Sequence, residues 1–188
     1  MHTKQEFYSL YDQYIHRAGS EDLKQWLMQT SFDSDPASTK FHGNCYGGLL
    51  DHSVNVFQRL LRLKEAFSLN SVSDETIAIV ALLHDLCKVG KYQIEMRNVK
   101  VDGAWIQKPF YKFVDNNPFG YHGPASVFLV QKYMKLTYEE IAAIACHMGA
   151  YDRVPTDYSL GDVYQKYPLA YALHTADCLA TFYDEETK

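Results

Sequence analysis

The chain runs to 188 residues, within the range of about 100 to 200 that one hydrophobic core ordinarily serves, so two independent domains would be cramped. A composition that is 47% hydrophobic and 22% charged excludes a disordered chain, and a net charge of −5 gives no general attraction to a polyanion such as duplex DNA. The opening residues hold no signal-peptide apolar run and nowhere do about 18 apolar residues stand together as a membrane span requires, so the expectation is a soluble, cytoplasmic protein with no membrane partner.

Taken in chain order, apolar residues at helical spacing predict two short helices between Lys4 and Gln29. A Ser, Asp, Pro and Gly-rich loop follows from Thr30 to Gly48, and Leu49 to Phe67 returns to the helical period. Ser73 caps a further helix whose interior, Ile77 to Leu86, is nearly all apolar and whose end is marked by Gly90, which makes that helix central. The period then changes. Tyr92 to Met96, a turn at Asp102-Gly103, Ala104 to Ile106 and Phe110 to Val114 predict a β-hairpin over residues 92–115, closed by Asn116 to Gly120. Helices resume over Ala125 to Met134 and from the capping-box sequence Thr137-Tyr138-Glu139-Glu140 to Gly149. Tyr151 to Gln165 reads as irregular, and Pro168 opens a last helix reaching about Tyr183.

Chemistry-bearing residues interrupt the apolar helices. His84-Asp85 stands inside Ala81-Leu82-Leu83-His84-Asp85-Leu86-Cys87-Lys88, where an ionised carboxylate without a partner costs several kcal/mol. A metal ion compensates it; so does a hydrogen bond from the neighbouring histidine, and the dipeptide alone does not choose. Asp177 occupies a similarly apolar helix, His52 lies one turn into its own, and His147 sits in Ile144-Ala145-Cys146-His147-Met148. Imidazoles and carboxylates facing inward from several helices are how helical bundles build metal sites. His122 heads a further helix. Cys45, Cys87, Cys146 and Cys178 form no Cys-x-x-Cys pair, which argues for reduced packing side chains over a thiolate site or disulfides.

The order His52, His84-Asp85, Asp177 resembles the HD superfamily of metal-dependent phosphohydrolases, with Gly47-Gly48-Leu49-Leu50-Asp51-His52-Ser53 and Leu83-His84-Asp85-Leu86-Cys87-Lys88 similar to its two longest motifs. The resemblance implies an all-α HD-domain helical bundle carrying the small inserted β-hairpin, a single domain over residues 1–188 with N-terminal helices at 1–30. It further implies two divalent ions (iron, manganese, cobalt, nickel, zinc or magnesium), one held by His52, His84, Asp85 and Asp177 and the second by His122 and His147. Asp85 would bridge them, and the bridging position would hold a hydroxide. Lys88 corresponds to a lysine that the family places near the substrate phosphate, so Asp85 and Lys88 are the catalytic candidates. His42 resembles a histidine often preceding the first motif and falls at the pocket rim; Lys91 and Arg153 are further candidates for the phosphate, each with a solvated surface charge as the plainer reading. His174, one turn before Asp177, suits a supporting hydrogen bond; His2 and His16 read as surface residues.

This chain departs from the pattern in places. Cys87 replaces a common glycine, and His147-Met148 replaces adjacent histidines. The Gly-Tyr-Pro loop is absent too, which argues against cyclic di-GMP as substrate. No acid follows the His-Asp pair as in the 5′-nucleotidase branch, which weakens a simple nucleoside monophosphatase. The leading expectation is hydrolysis of a phosphate ester, with a small phosphorylated substrate, a nucleotide, as partner. The same ligands also resemble the diiron oxygenases of the superfamily, some related domains are 3′→5′ exoribonucleases, and a non-catalytic binding module is the remaining alternative. The hairpin aromatics Tyr92, Trp105, Phe110, Tyr111 and Phe113 suit stacking on a base, packing onto the helices, or contact within a homo-oligomer.

Overall fold

The computed structural model describes residues 1–114, 121–151 and 160–185. Its order is α1 (Lys4–Tyr14), α2 (Ser20–Met28), α3 (Gly48–Leu63), α4 (Asp74–Leu83), β1 (Tyr92–Val101), β2 (Ala104–Phe113), α5 (His122–Gln131), α6 (Tyr138–Cys146), α7 (Leu160–Lys166) and α8 (Pro168–Leu179). The described residues are thus all-α apart from one antiparallel hairpin, as the HD resemblance implies. None of these helices is long and apolar enough to cross a membrane.

The central position of α4 follows from its residues. Every side chain from Ile77 to Leu83 is fully buried, and a helix apolar on all faces is stable only when surrounded. It is flanked by α1, α3 and α6, while α8 packs on α3 and α6, and α5 on α6. Local signals set the helix starts. Thr3 and Thr137 each form a reciprocal capping box with a glutamate three residues on, Ser73 accepts the Thr76 amide, and Pro168 supplies the first turn of α8.

Helix ends differ from the sequence reading. α3 stops at Leu63 before Phe67, α6 at Cys146 before Gly149, and α4 at Leu83 before Leu86. Residues 160–166, expected to be irregular, form α7, whose Val163 and Tyr164 pack on the core although none of its residues is fully buried. The expected closure at Asn116 to Gly120 lies outside the described residues.

The hairpin pairs along its whole length, from Tyr92 with Phe113 to Val101 with Ala104. Asp102 and Gly103 take φ of 49° and 85°, the two positive values that a tight turn matched to strand twist requires. Its base joins the bundle: the Tyr92 hydroxyl donates to the Ala37 carbonyl at 3.0 Å, and Phe113 and Tyr111 pack edge-on against Tyr92. Trp105 at the far end is 70% exposed.

One ionic contact pins the helices that carry the core. Glu140 is fully buried and receives Arg17 Nη1 at 2.6 Å and Nη2 at 2.8 Å, the Thr76 hydroxyl at 2.9 Å and the Thr137 amide at 2.8 Å. It therefore ties the α1–α2 connection to α4 and α6. Burial opposes its charge, yet these donors hold its carboxyl below the ordinary 4.5. Removing one partner of such a pair costs about 3–5 kcal/mol, so Arg17→Met should lower unfolding stability by that order at pH 7 in urea titrations. Because the folded carboxyl is the stronger acid, its stabilisation is present above pH 4.5 and is lost as pH falls through the lower folded value. The stability gap between the wild type and Glu140→Gln should accordingly narrow in acid.

Candidate metal centre

Most of the site is built at helix ends. α4 terminates at Leu83, His84 is its C-cap, and Asp85 takes φ −107° and ψ 17° before a single 3₁₀ turn, Leu86–Lys88. Two consecutive side chains on a continuous helix diverge by about 100°. The break lets both face one point. His147 is the C-cap of α6, and His122 begins α5. Gly123 beside it has no room for a side chain, since a Cβ would meet the Ala145 carbonyl oxygen at 2.4 Å, so α5 and α6 touch backbone to backbone. His52 and Asp177 project from within α3 and α8.

The six residues converge. His52 Nε2 lies 3.2 Å from His84 Nε2, 3.3 Å from Asp177 Oδ1 and 3.7 Å from Asp85 Oδ2; His84 Nε2 is 3.5 Å from the same Asp85 oxygen. The other Asp85 oxygen, Oδ1, pairs with His122 Nε2 and lies 3.5 Å from His147 Nε2. Ligand atoms that each stand about 2.0–2.2 Å from one shared ion are about 3.0–3.5 Å apart, so these separations suit coordination.

Hydrogen bonds behind the rings aim them. His84 Nδ1 donates to the Ala81 carbonyl at 2.8 Å and His147 Nδ1 to that of Ile144 at 2.7 Å, while His52 Nδ1 donates to Glu185 Oε1 at 2.8 Å. With the Nδ1 protons so committed, three Nε2 lone pairs face the centre, and that of His147 is buried with no hydrogen-bond partner among the described residues. Facing lone pairs repel unless a cation lies between them. The donor set therefore fits divalent metal.

With no ion at the centre, a proton on His52 supplies positive charge instead. Burial disfavours every charge here and takes His84 down to about 3, whereas Glu185 and Asp177 overcome it at His52 and push that ring up to about 10, a proton that a metal ion at Nε2 would displace. Asp85 stays ionised against its burial through Lys88, His84 and His122, and Asp177 through His52. Lys88 Nζ sits 2.6 Å from Asp85 Oδ2 and is itself buried, its pKa raised by that carboxylate despite the burial.

A cavity of about 430 Å³ opens onto Asp85, Lys88, His52 and Asp177, with His42 and His174 also in its wall. Phe41, Tyr151 and Phe182 line it while being 60%, 78% and 68% exposed, and so form an aromatic mouth. His42 packs against His52 with ring centroids 4.9 Å apart and planes tilted by 36°, and burial pushes its pKa down to about 4, so it is neutral near pH 7. His174 gives its Nδ1 proton to the His147 carbonyl at 2.6 Å. Lys91 lies at the foot of the hairpin, away from the cavity lining, where its carbonyl accepts the Val114 amide at 2.7 Å. Arg153 lies outside the described residues. Cys87 brings its thiol within 4.8 Å of ligand atoms of Asp85 and His122, nearer the centre than a packing role requires. None of the four cysteines is in a disulfide among the described residues. His16 is on the surface, but His2 is only partly exposed, its backbone amide donating to Asp51 at 2.5 Å.

Glu185 is the residue that sequence reading missed. In Asp184-Glu185-Glu186 near the chain end it looks like one of a run of solvated acids, and no spacing marks it. The structure buries it behind His52.

Among protein families, the one described as HD domain matches residues 49–180, well over half of the chain. The chain belongs to the HD domain family. Curated proteins and solved structures yield no match. HD domains bind divalent metals and are in general metal-dependent hydrolases, and the matched segment of this HD domain contains all six convergent residues.

An ion that binds only the folded centre stabilises by about 2.7 kcal/mol at a hundredfold excess over its dissociation constant. Adding Mn²⁺ or Zn²⁺ to chelator-treated protein should raise the thermal midpoint measured by calorimetry, and Asp85→Ala should remove the increment.

Proposed function

We propose that this HD domain is a phosphohydrolase that cleaves the phosphate ester of a small molecule, a nucleotide, at a centre of two divalent ions. The observation that carries the reading is the division of Asp85: Oδ2 faces His52 and His84 while Oδ1 faces His122 and His147, so one carboxylate serves two sets of imidazoles. His52, His84, Asp85 and Asp177 would hold one ion, and His122 and His147 with Asp85 the other. Ions bound there supply Lewis acidity to phosphoryl oxygens and activate water at neutral pH.

The side chains do the remaining work. Lys88 is a fixed ammonium at the cavity floor, 2.6 Å from Asp85, and it can donate to a phosphoryl oxygen as charge accumulates there. Its burial strengthens that interaction, because little water screens it. The apolar side chains at the mouth exclude solvent, and Phe41, Tyr151 and Phe182 suit stacking on a planar base. The ester enters phosphate first.

Chelation should abolish hydrolysis of phosphate esters, and restoring the metal should recover it in anaerobic buffer as fully as in air; a requirement for dioxygen would favour the oxygenase chemistry that the same ligands suit. Lys88→Met should lower kcat by about 10²–10³-fold while metal content per chain is unchanged. Steady-state kinetics beside elemental analysis measure both, and loss of metal in that variant would assign Lys88 to the ligand frame instead.

A further inference from the structure

Glu185 stands on the far side of His52 from the converging lone pairs. Its side chain is 2% exposed, Oε1 accepts the His52 Nδ1 proton at 2.8 Å, and Oε2 is buried with no hydrogen-bond partner among the described residues. A carboxylate is costly to bury, so its place needs a reason. The chain goes to some length to put it there. After Leu179 the last helix loosens into a π turn, Ala180–Asp184, and Glu185 then runs extended with φ −110° and ψ 133°, its amide donating to the Ala180 carbonyl at 3.2 Å. Wide turns of this kind are frequent at functional sites.

Two residues of α3 hold the segment in place. Arg59 grips the neighbouring Asp184 with both Nε, at 2.7 Å, and Nη2, and Asn55 Nδ2 reaches Glu185 Oε1 at 3.4 Å. The helix that presents the imidazole thus also fastens the carboxylate behind it. Glu185 lies beyond residues 49–180, where the family match ends, so this support belongs to the flanking chain.

We infer that Glu185 is a positioning residue for the metal centre: it holds the proton of His52 on Nδ1, aims Nε2 at the ion and makes that nitrogen a stronger donor. The inference rests on the cluster being a metal centre. Outer partners of ligating histidines commonly change metal affinity by about 10–100-fold when removed, by keeping the ring oriented and electron-rich.

The test uses the whole chain, stripped of metal and titrated with Mn²⁺ by calorimetry; before metal is added, ¹⁵N NMR of the His52 ring in the alkaline range where it is neutral reads its tautomer. Glu185→Ala should weaken Mn²⁺ binding by about 10–100-fold and let the ring proton distribute between both nitrogens. Glu185→Gln, whose amide oxygen still accepts the Nδ1 proton, should keep the tautomer and lose a smaller part of the affinity. It also decides the matter if the alanine variant does not fold. Arg59→Met, which frees the segment without touching His52, should shift affinity in the same direction. Wild-type binding together with unchanged affinity in the glutamine variant, or an unchanged His52 tautomer in a folded alanine variant, overturns the role of Glu185 alone. A wild-type chain that takes up no Mn²⁺ overturns the metal centre itself and the inference with it.

Discussion

Two ionised carboxylates buried in an apolar bundle set the terms for what surrounds them. Asp85 and Asp177 face the same interior point as three imidazole lone pairs, and desolvating each charge costs several kcal/mol after the protein has relaxed. Negative charge and lone pairs converging on one spot are tolerable only around positive charge. Lys88 supplies part of it, and the rest of the arrangement reads as accommodation for cations. The apolar bulk of α4 drives the burial, and the interruption of that helix at Leu83 makes the burial useful by turning His84 and Asp85 to the same side.

What was legible in the sequence follows from the same physics. His84 and Asp85 stand out because ionisable residues inside a run otherwise fit for the core require an explanation, and Asp177 and His147 stand out likewise. The hairpin was legible because a change from helical to alternating pattern flanks Asp102-Gly103, and the capping box because Thr137 and Glu140 have the right spacing. Features that depend on distant parts of the chain were not. That Glu140 also receives Arg17 and Thr76 cannot be seen in the run Thr137 to Glu140, nor can α7 in a stretch whose only support is contact with the core. Glu185 is the clearest case: its chemistry is ordinary, its neighbours in the chain are polar, and only a π turn brings it inward.

The family match and the geometry together divide the labour within the chain. Residues 49–180 contain the convergent side chains. Segments on either side supply their surroundings: His42 packs against His52 from one, Glu185 bonds it from the other, and the aromatic mouth draws on Phe41 and Phe182. A shared centre is thereby fitted with walls of its own, which is where preference among substrates arises in enzymes that keep one reaction and change its reactant.

The contact between α5 and α6 at Gly123 has a bearing on which element the centre accepts. His122 and His147 hang from two backbones in direct touch, so the spacing from which their side chains reach inward is set by main-chain contact. If an ion is held there as proposed, a backbone spacing set in this way would favour cations of one radius over another, and a bulkier residue in place of the glycine would reset the gauge by prising the helices apart.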